Sequence, residues 1–354
     1  MSGRKQHFIP QSLLKGFGRP GKGAKVQVIA YTHDRGTFAA ATDGVAAERE
    51  FYSPLAVEGQ GETLDDKITG YETSLAHILS ELRSFDADGI ADAGKASEFV
   101  THLVVRNDHL RKFMSSAATD LFGGFAEMFS DQDQAKAMLG LSGPTPSAMV
   151  AEQLANVFAD NAQLIETLGM SQEQFNAWAF GHSQANFGEF HAQMLGPLQQ
   201  AFGEALGAIA QTAAEAQRRS LGDSLSPEAR IDNLKKFEWR VAHVAAPLIL
   251  PDCVAVATNA ESNAFPLMLE EDDETDTIYV PLSSDRLLIG SKARQAVPNT
   301  LNNTFAECSW DFFIARDRTP ELEALRPLIR SCAGKRVQET VRQAMSGAIG
   351  KIDR

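Results

Sequence analysis

The chain has no apolar run approaching the roughly 20 residues that a membrane-spanning helix requires, and nothing in it predicts insertion into a bilayer. Its basic N-terminus lacks the apolar stretch of a secretory leader. Cysteine is scarce: Cys253, Cys308 and Cys332 lie far apart, with none of the close pairs that suggest zinc or a redox site. These absences together predict a protein of the reducing cytoplasm. There is also no phosphate-cradling Gly-x-x-x-x-Gly-Lys-Ser/Thr loop, no dinucleotide fingerprint, no Gly-x-Ser-x-Gly elbow and no tandem repeat, which removes the kinase, dehydrogenase, ordinary esterase and solenoid readings. Excess positive charge is missing too. A formal net charge of -13 argues against a protein that coats nucleic acid through many Lys and Arg contacts to phosphate.

What is present is a chain of 354 residues with 44% hydrophobic and 22% charged side chains, enough for a full core and two lobes sharing an interface. One stretch runs against the acidic average. Between Met1 and Lys25 the charged side chains are Arg4, Lys5, Lys15, Arg19, Lys22 and Lys25, with no Asp or Glu among them. Within this arm Pro10 biases Ile9 toward extended geometry and suits the first turn of a helix, so His7-Phe8-Ile9 should be extended and a short helix should run to Leu14. His7 then sits at a strand-to-helix junction. Phe8, Leu13, Leu14 and Phe17 can anchor that junction while His7 and Gln11 face a cleft. Lys5, Lys15 and Arg19 would supply a local positive field for an anionic ligand, which matters more at a site than net charge does.

Downstream, Lys25 to Thr32 and Thr37 to Ala40 read as a hairpin turning at His33-Asp34-Arg35-Gly36. Thr63 and Asp66 form a capping-box pattern ahead of an amphipathic helix with Leu64, Ile68, Tyr71, Leu75, Ile78 and Leu82 on one seam and Glu72 at its edge. A second helix is expected from about Ser97, its seam of Phe99, Leu103, Arg106, Leu110 and Phe113 containing an arginine. A guanidinium on an apolar stripe is costly unless a carboxylate meets it, and Glu72 is the candidate. That pair is either a structural lock between two helices or part of a catalytic group around His7.

Residues 114 to 222 are rich in Ala, Gly, Gln and Met at helical spacing, with breaks expected at Gly143-Pro144-Thr145-Pro146 and Gly196-Pro197. His182 and His191 are nine residues apart, not the one-turn spacing that sets two imidazoles on one helical face, so satisfied histidines are expected there instead of a metal site. Ser226-Pro227-Glu228 predicts a helix start, with the helix running toward Ala245. Strands are expected at Cys253 to Thr258, Phe265 to Leu269, Thr277 to Leu282, Arg286 to Gly290 and Trp310 to Ala315. The acidic run Glu270-Glu271-Asp272-Asp273-Glu274 reads as a solvated loop. Helices are expected near Asn299 to Glu307, Pro320 to Cys332 and Lys335 to Ile349.

The opening Lys5-Gln6-His7-Phe8-Ile9-Pro10-Gln11, with Leu14, resembles bacterial and fungal proteins that begin Lys-x-His-(Phe/Tyr)-(Val/Ile)-Pro-Gln-x-x-Leu, a family catalogued mainly as a domain of unknown function. Phe51-Tyr52-Ser53, Glu62-Thr63-Leu64, Glu72, Arg106, Tyr279 to Ser283 and Asn302 are similar to that family as well. The resemblance implies a fold, and its general flavour is one of bacterial defence or toxin modules. His7-Phe8-Ile9-Pro10 also resembles in spelling the His-Ile-Ile-Pro start of His-Me finger nucleases, whose histidine activates a water while a divalent metal holds the phosphate. In those enzymes a hairpin follows the histidine; here a helix is expected at once.

The expected fold is α+β: mostly helical N-terminal and middle regions, a small N-terminal hairpin, and a C-terminal antiparallel or mixed sheet on which the arm folds back. The expected segments are 1–113 (arm, hairpin and helix pair), 114–225 (helical elaboration) and 226–354, the last forming one compact unit with the first. Two functions fit. One is an intracellular phosphodiester hydrolase acting on RNA or DNA, with His7 as base or metal ligand, Gln11 orienting, Glu72 and Arg106 in the same group, Lys5, Lys15 and Arg19 on the substrate, and magnesium or manganese as the metal. The other is a non-catalytic sensor or binding protein in which the His7 motif is a structural latch.

Overall fold

The computed structural model describes residues 5–21, 23, 25–52, 62–85, 89–267, 275–293 and 296–352. Arg4, Lys22, Ser53, the end of the strand expected to reach Leu269 and the acidic run Glu270 to Glu274 lie outside the described residues. The chain divides into two compact units, Met1–Met114 with Thr212–Arg336, and Ser115–Gln211 with Val337–Arg354. No helix among the described residues is long and apolar enough to cross a membrane.

The chain opens with β1 (Lys5–His7), α1 (Gln11–Leu14), β2 (Arg19–Pro20), β3 (Val26–Thr32), β4 (Gly36–Ala41) and β5 (Ala47–Arg49). Next come α2 (Leu64–Arg83), β6 (Gly89–Ile90) and α3 (Ala93–Val105). The helical stretch holds α4 (Asp108–Ser130), α5 (Gln132–Met138), α6 (Ala148–Asp160), α7 (Ala162–Thr167) and α8 (Gln172–Asp223). Strands then predominate: α9 (Glu228–Leu234), β7 (Glu238–His243), β8 (Leu250–Pro251), β9 (Val256–Thr258), β10 (Ala264–Pro266), β11 (Thr277–Ser283) and β12 (Arg286–Ser291). The chain closes with α10 (Leu301–Cys308), β13 (Phe312–Ala315), α11 (Pro320–Leu325) and α12 (Ser331–Ile352). This is an α+β fold.

The first unit carries three antiparallel sheets. One has six strands in the order β10-β9-β11-β12-β7-β6; a second runs β2-β3-β13-β8 with β4 on β3; the third is the pair β1-β5. Interior strands are apolar on both faces, as strands covered on both sides must be, and every residue of β11 is buried. Gly290 on β12 is required by a close approach: a Cβ there would lie 2.8 Å from the ring of Trp239, the buried anchor of β7, whose indole N–H donates to Leu234 at 2.9 Å.

Local chemistry explains the element boundaries. Thr63 and Asp66 close a full capping box at α2. Asp92 caps α3, which starts four residues before the expected Ser97 and ends at Val105. The helix expected to continue through Leu110 breaks instead at Asn107, whose side-chain oxygen accepts from His109 N at 2.7 Å while its amide donates to Asp252 O at 2.6 Å. A helix toward Ala245 is also corrected. Its N-cap is Pro227, not Ser226, and α9 stops at Leu234; residues 238–243 then pair with β12 as β7, burying Trp239, Val241 and Ala242 and placing Arg240 and His243 on a strand. Pro197 does not break α8, because it is exposed and water can take the carbonyl it leaves without an N–H partner.

The cysteines, far apart in sequence, meet in the first unit. The Cys308 and Cys332 thiols are hydrogen-bonded, with Cys253 close enough to act on both electrostatically, and all three are free. Burial pushes Cys253 and Cys308 well above the ordinary thiol range, so they are protonated and inert near neutrality.

Candidate functional site

The His7 segment is held by three sets of bonds. First, β1 pairs with β5, setting Lys5 against Arg49, Gln6 against Glu48 and His7 against Ala47, and Phe8 N donates to Ala46 O at 3.0 Å. Gln6 is buried, and its side-chain oxygen takes the Tyr52 N–H at 2.6 Å. Segment 42–52 is therefore laid along the arm. Two of its residues, Ala46 and Glu50, are held at φ of 51° and 54°, a left-handed conformation that costs a side chain roughly 1–2 kcal/mol and persists only where surroundings impose it.

Second, Arg106 reaches the arm from the C-cap of α3. Its side chain is 1% exposed and pairs with Glu72, which is 27% exposed on α2. Its Nη2 donates to the main-chain carbonyl of His7, Nε to the Tyr52 hydroxyl at 3.0 Å, and Nη1 to Nε2 of His102 at 3.2 Å as well as to Glu72. Burial pulls the Arg106 pKa down, but Tyr52 and Glu72 more than reverse this, and the guanidinium is fully ionised. Tyr52 shares its one proton between the carbonyls of His7 and Arg106, at 3.2 and 3.1 Å, and burial pushes its pKa up to about 12. His102 turns Nδ1 to Leu225 O at 3.0 Å, so Nδ1 carries the proton and Nε2 accepts from Arg106. Burial, reinforced by Arg106, pushes its pKa down to about 3.

Third, Arg83 at the end of α2 donates to Ser12 O and Leu13 O, both at 3.0 Å, and through Nε to Leu282 O of β11 at 3.0 Å. Burial lowers its pKa to about 10, so it too is charged at neutral pH. Gly16 is needed here, since a Cβ would stand 2.3 Å from the Arg83 guanidinium and 2.7 Å from Leu282 O. Two arginines from two helices thus grip the main chain of one arm.

The expected site residues accordingly fall into different environments. Arg106 and Glu72 are brought together with the backbone of His7. The His7 ring is half-buried; its Nε2 donates to Thr42 O at 3.2 Å, and the Gln11 side-chain amide lies 3.4 Å from that same nitrogen. Nδ1 is then the unprotonated nitrogen, with no hydrogen-bond partner among the described residues. Burial lowers the His7 pKa, opposed by the Thr42 carbonyl and Glu72. Lys5 and Lys15 are exposed, away from the Arg106 knot. The uniform positive field is not realised, because Arg19 pairs with Asp317 at 3.4 Å and Lys25 with Asp43 at 2.9 Å, acids that lie elsewhere in the sequence. Among the described residues no group of three His, Cys, Asp or Glu side chains is placed to hold a metal. In the second unit His191 bonds Phe129 O at 2.8 Å and His182 stacks on Trp178, as satisfied histidines do.

These contacts join the arm that carries Gln6 and His7 to residues as far along the chain as Leu282. The family described as "Protein of unknown function (DUF4238)" matches residues 5–321. The chain belongs to that family. No curated protein and no solved structure matches it.

Segment 44–48 also walls a cleft of about 570 Å³ whose lining includes Phe8, Phe38, Phe312, Asp108, Lys112 and Asp311. Lys112 bridges Asp108 at 2.5 Å and Asp311, and Arg330 joins Asp311 at 3.0 Å. Burial opposes the Lys112 charge, but the two carboxylates raise its pKa. The buried Asp252 carboxylate accepts the N–H groups of Trp310, Asp311 and Phe312 at 2.8, 2.6 and 3.0 Å, which fixes the turn that brings Asp311 and Phe312 to this wall. Sequence reading overlooked Arg83, His102 and this cleft. His102 was within reach, since it stands one helical turn before Arg106 on the same helix.

Proposed function

We propose that this chain is a binding protein in which the His7 motif is a structural latch and the cleft beside segment 44–48 takes up the ligand. The observation that carries the reading is the assignment of Arg106: each guanidinium nitrogen bonds a protein group, and one of those groups is the His7 carbonyl. A buried arginine so engaged orders the arm and is not available to a phosphate. The latch in turn fixes segment 42–52, from Thr42 at the His7 ring to Tyr52 at Gln6. A preformed concave wall with aromatic side chains and a few fixed charges is the usual form of a ligand site.

A second reading keeps one observation of its own. His7 has a depressed pKa and an unprotonated Nδ1, the state a general base needs near neutrality, and Glu72 is close enough to act on it electrostatically. This would make the chain a phosphodiester hydrolase, with RNA or DNA drawn in by Lys5 and Lys15. Incubating labelled RNA and DNA with the wild type and His7→Ala, with and without magnesium or manganese, separates the two. The latch reading expects the folded variant and the wild type to leave both substrates intact under all conditions. Cleavage by the wild type that is lost in a folded His7→Ala protein would replace it with the hydrolase reading.

A further inference from the structure

The Ser115–Gln211 part of the second unit has its own charge pattern, distinct from the Val337–Arg354 part, whose sequence carries Arg342, Lys351 and Arg354. Between Lys136 and Arg218 there is no Lys or Arg, and from Ser115 to Gln211 ten Asp and Glu stand against Lys136 alone. All ten acids are exposed. Among the described residues none forms an ion pair with a Lys or Arg, and Lys136 itself donates to the Gln184 carbonyl at 3.2 Å. The acids are interleaved with large apolar side chains that the unit does not cover. On α6, α7 and the start of α8, Val157 is 46% exposed, Leu164 63%, Leu168 67% and Trp178 57%. These helices do have an interior: the Phe158 and Phe175 rings meet at 5.8 Å, and Ile165 is buried. Yet α6, a helix of 13 residues, fully buries none of its side chains. Leu164 and Leu168 are one turn apart and opposite in role to Ile165, which turns inward.

We propose that the α6–α7–α8 face is a docking surface for a cationic amphipathic polypeptide segment, one carrying Lys or Arg on one side and aliphatic side chains on the other. The exposed acids carried by the same helices, Glu152, Asp160, Glu166 and Glu173, select the sign of the partner. A second copy of the same face would bring like charges together, which disfavours self-association. Nucleic acid and anionic lipid are repelled for the same reason. The apolar side chains supply contact area that a wholly hydrophilic basic segment could not use, so both properties are needed in one partner. This inference is independent of the arm and of the cleft.

The test uses the full chain and the emission of Trp178, isolated by subtracting the same titration in Trp178→Phe. The probe is a synthetic peptide with Lys and Leu at helical spacing, compared with a Glu/Leu peptide of the same pattern, a Lys/Ser peptide of the same charge, and vesicles of anionic phospholipid. Saturable binding is expected for the Lys/Leu peptide alone, weakening roughly tenfold when salt shortens the range of the charges. Leu164→Ser with Leu168→Ser, and Glu166→Gln with Glu173→Gln, should each weaken it by about tenfold, since both halves of the surface contribute. Unchanged affinity in either folded variant would overturn the proposal, as would equal binding of the Glu/Leu peptide, the Lys/Ser peptide or the vesicles, or concentration-dependent self-association. Should a variant fail to fold, the wild-type comparison of probes decides alone.

Discussion

The arm of residues 5–17 and the helices of residues 115–211 use charge in opposite ways. Around the first, buried cations are matched bond for bond: Arg106 and Arg83 sit on main-chain carbonyls of the arm, and just beyond it even the exposed Arg19 and Lys25 meet acids distant in sequence. In the second, ten acids and several large apolar side chains face solvent, and among the described residues no Lys or Arg forms an ion pair with these acids. Buried, fully partnered charge is how a fold fixes one conformation, because removing one partner leaves the others stranded. Exposed charge of a single sign beside apolar surface contributes little to stability and is suited to meeting something else. On the proposed reading, the motif that looks most chemical in the sequence does structural work, and the region that looks least distinctive is the one proposed to interact.

The largest expected effect breaks the first half of this contrast. Arg106→Met strands Glu72, the Tyr52 hydroxyl and the His7 carbonyl, and should lower unfolding free energy by about 3–5 kcal/mol in urea titrations. A loss no larger than that of an ordinary surface substitution would show that the knot is dispensable. Acid comes next. The folded pKa of His102 is about 3, below the ordinary value of 6.5, so the unfolded chain binds more protons between these values. Stability is therefore fully present above pH 6.5 and is lost as pH falls toward 3, at up to about 1.4 kcal/mol per pH unit from this group. His7, also depressed, acts in the same direction. His102→Asn should flatten the acid-side slope, measured as urea midpoints across that pH range.

Arg83→Gln frees the Ser12, Leu13 and Leu282 carbonyls and should cost about 1–3 kcal/mol, since acceptors left unsatisfied carry the desolvation penalty. The smallest effect sharpens the second half of the contrast. Leu164→Ser with Leu168→Ser should change stability by no more than about 0.5 kcal/mol per site, because both side chains are already largely in water. A strongly lowered melting temperature would mean that the exposed leucines belong to a core.

Much of this was legible in the sequence. An arginine on an apolar seam demands an acid, and Glu72 on the preceding helix is where Arg106 finds one. The Thr63 capping box, the β3–β4 hairpin and the paired β11 and β12 follow from local patterns. What failed to show had non-local causes. The helix break at Asn107 depends on Asp252, and apolar residues on both sides keep the same period across it. Val241 and Val244 fit a helical spacing from Leu234, whereas the pairing of Glu238–His243 with β12 makes that region a strand. The positive arm looked unopposed because Asp43 and Asp317 follow it in the chain and meet it only in the fold. Arg83 gave no signal, since main-chain carbonyls carry no side-chain identity to read.

The most direct measurement is hydrogen–deuterium exchange in Arg106→Lys, which keeps the charge for Glu72 but cannot span the Tyr52, His102 and His7 groups together. The latch account predicts that peptides covering 5–17 and 42–52 lose protection by roughly ten- to a hundredfold while β11 and β12 keep theirs. Unchanged protection in the arm, with the loss spread evenly over the sheet or absent, would contradict it.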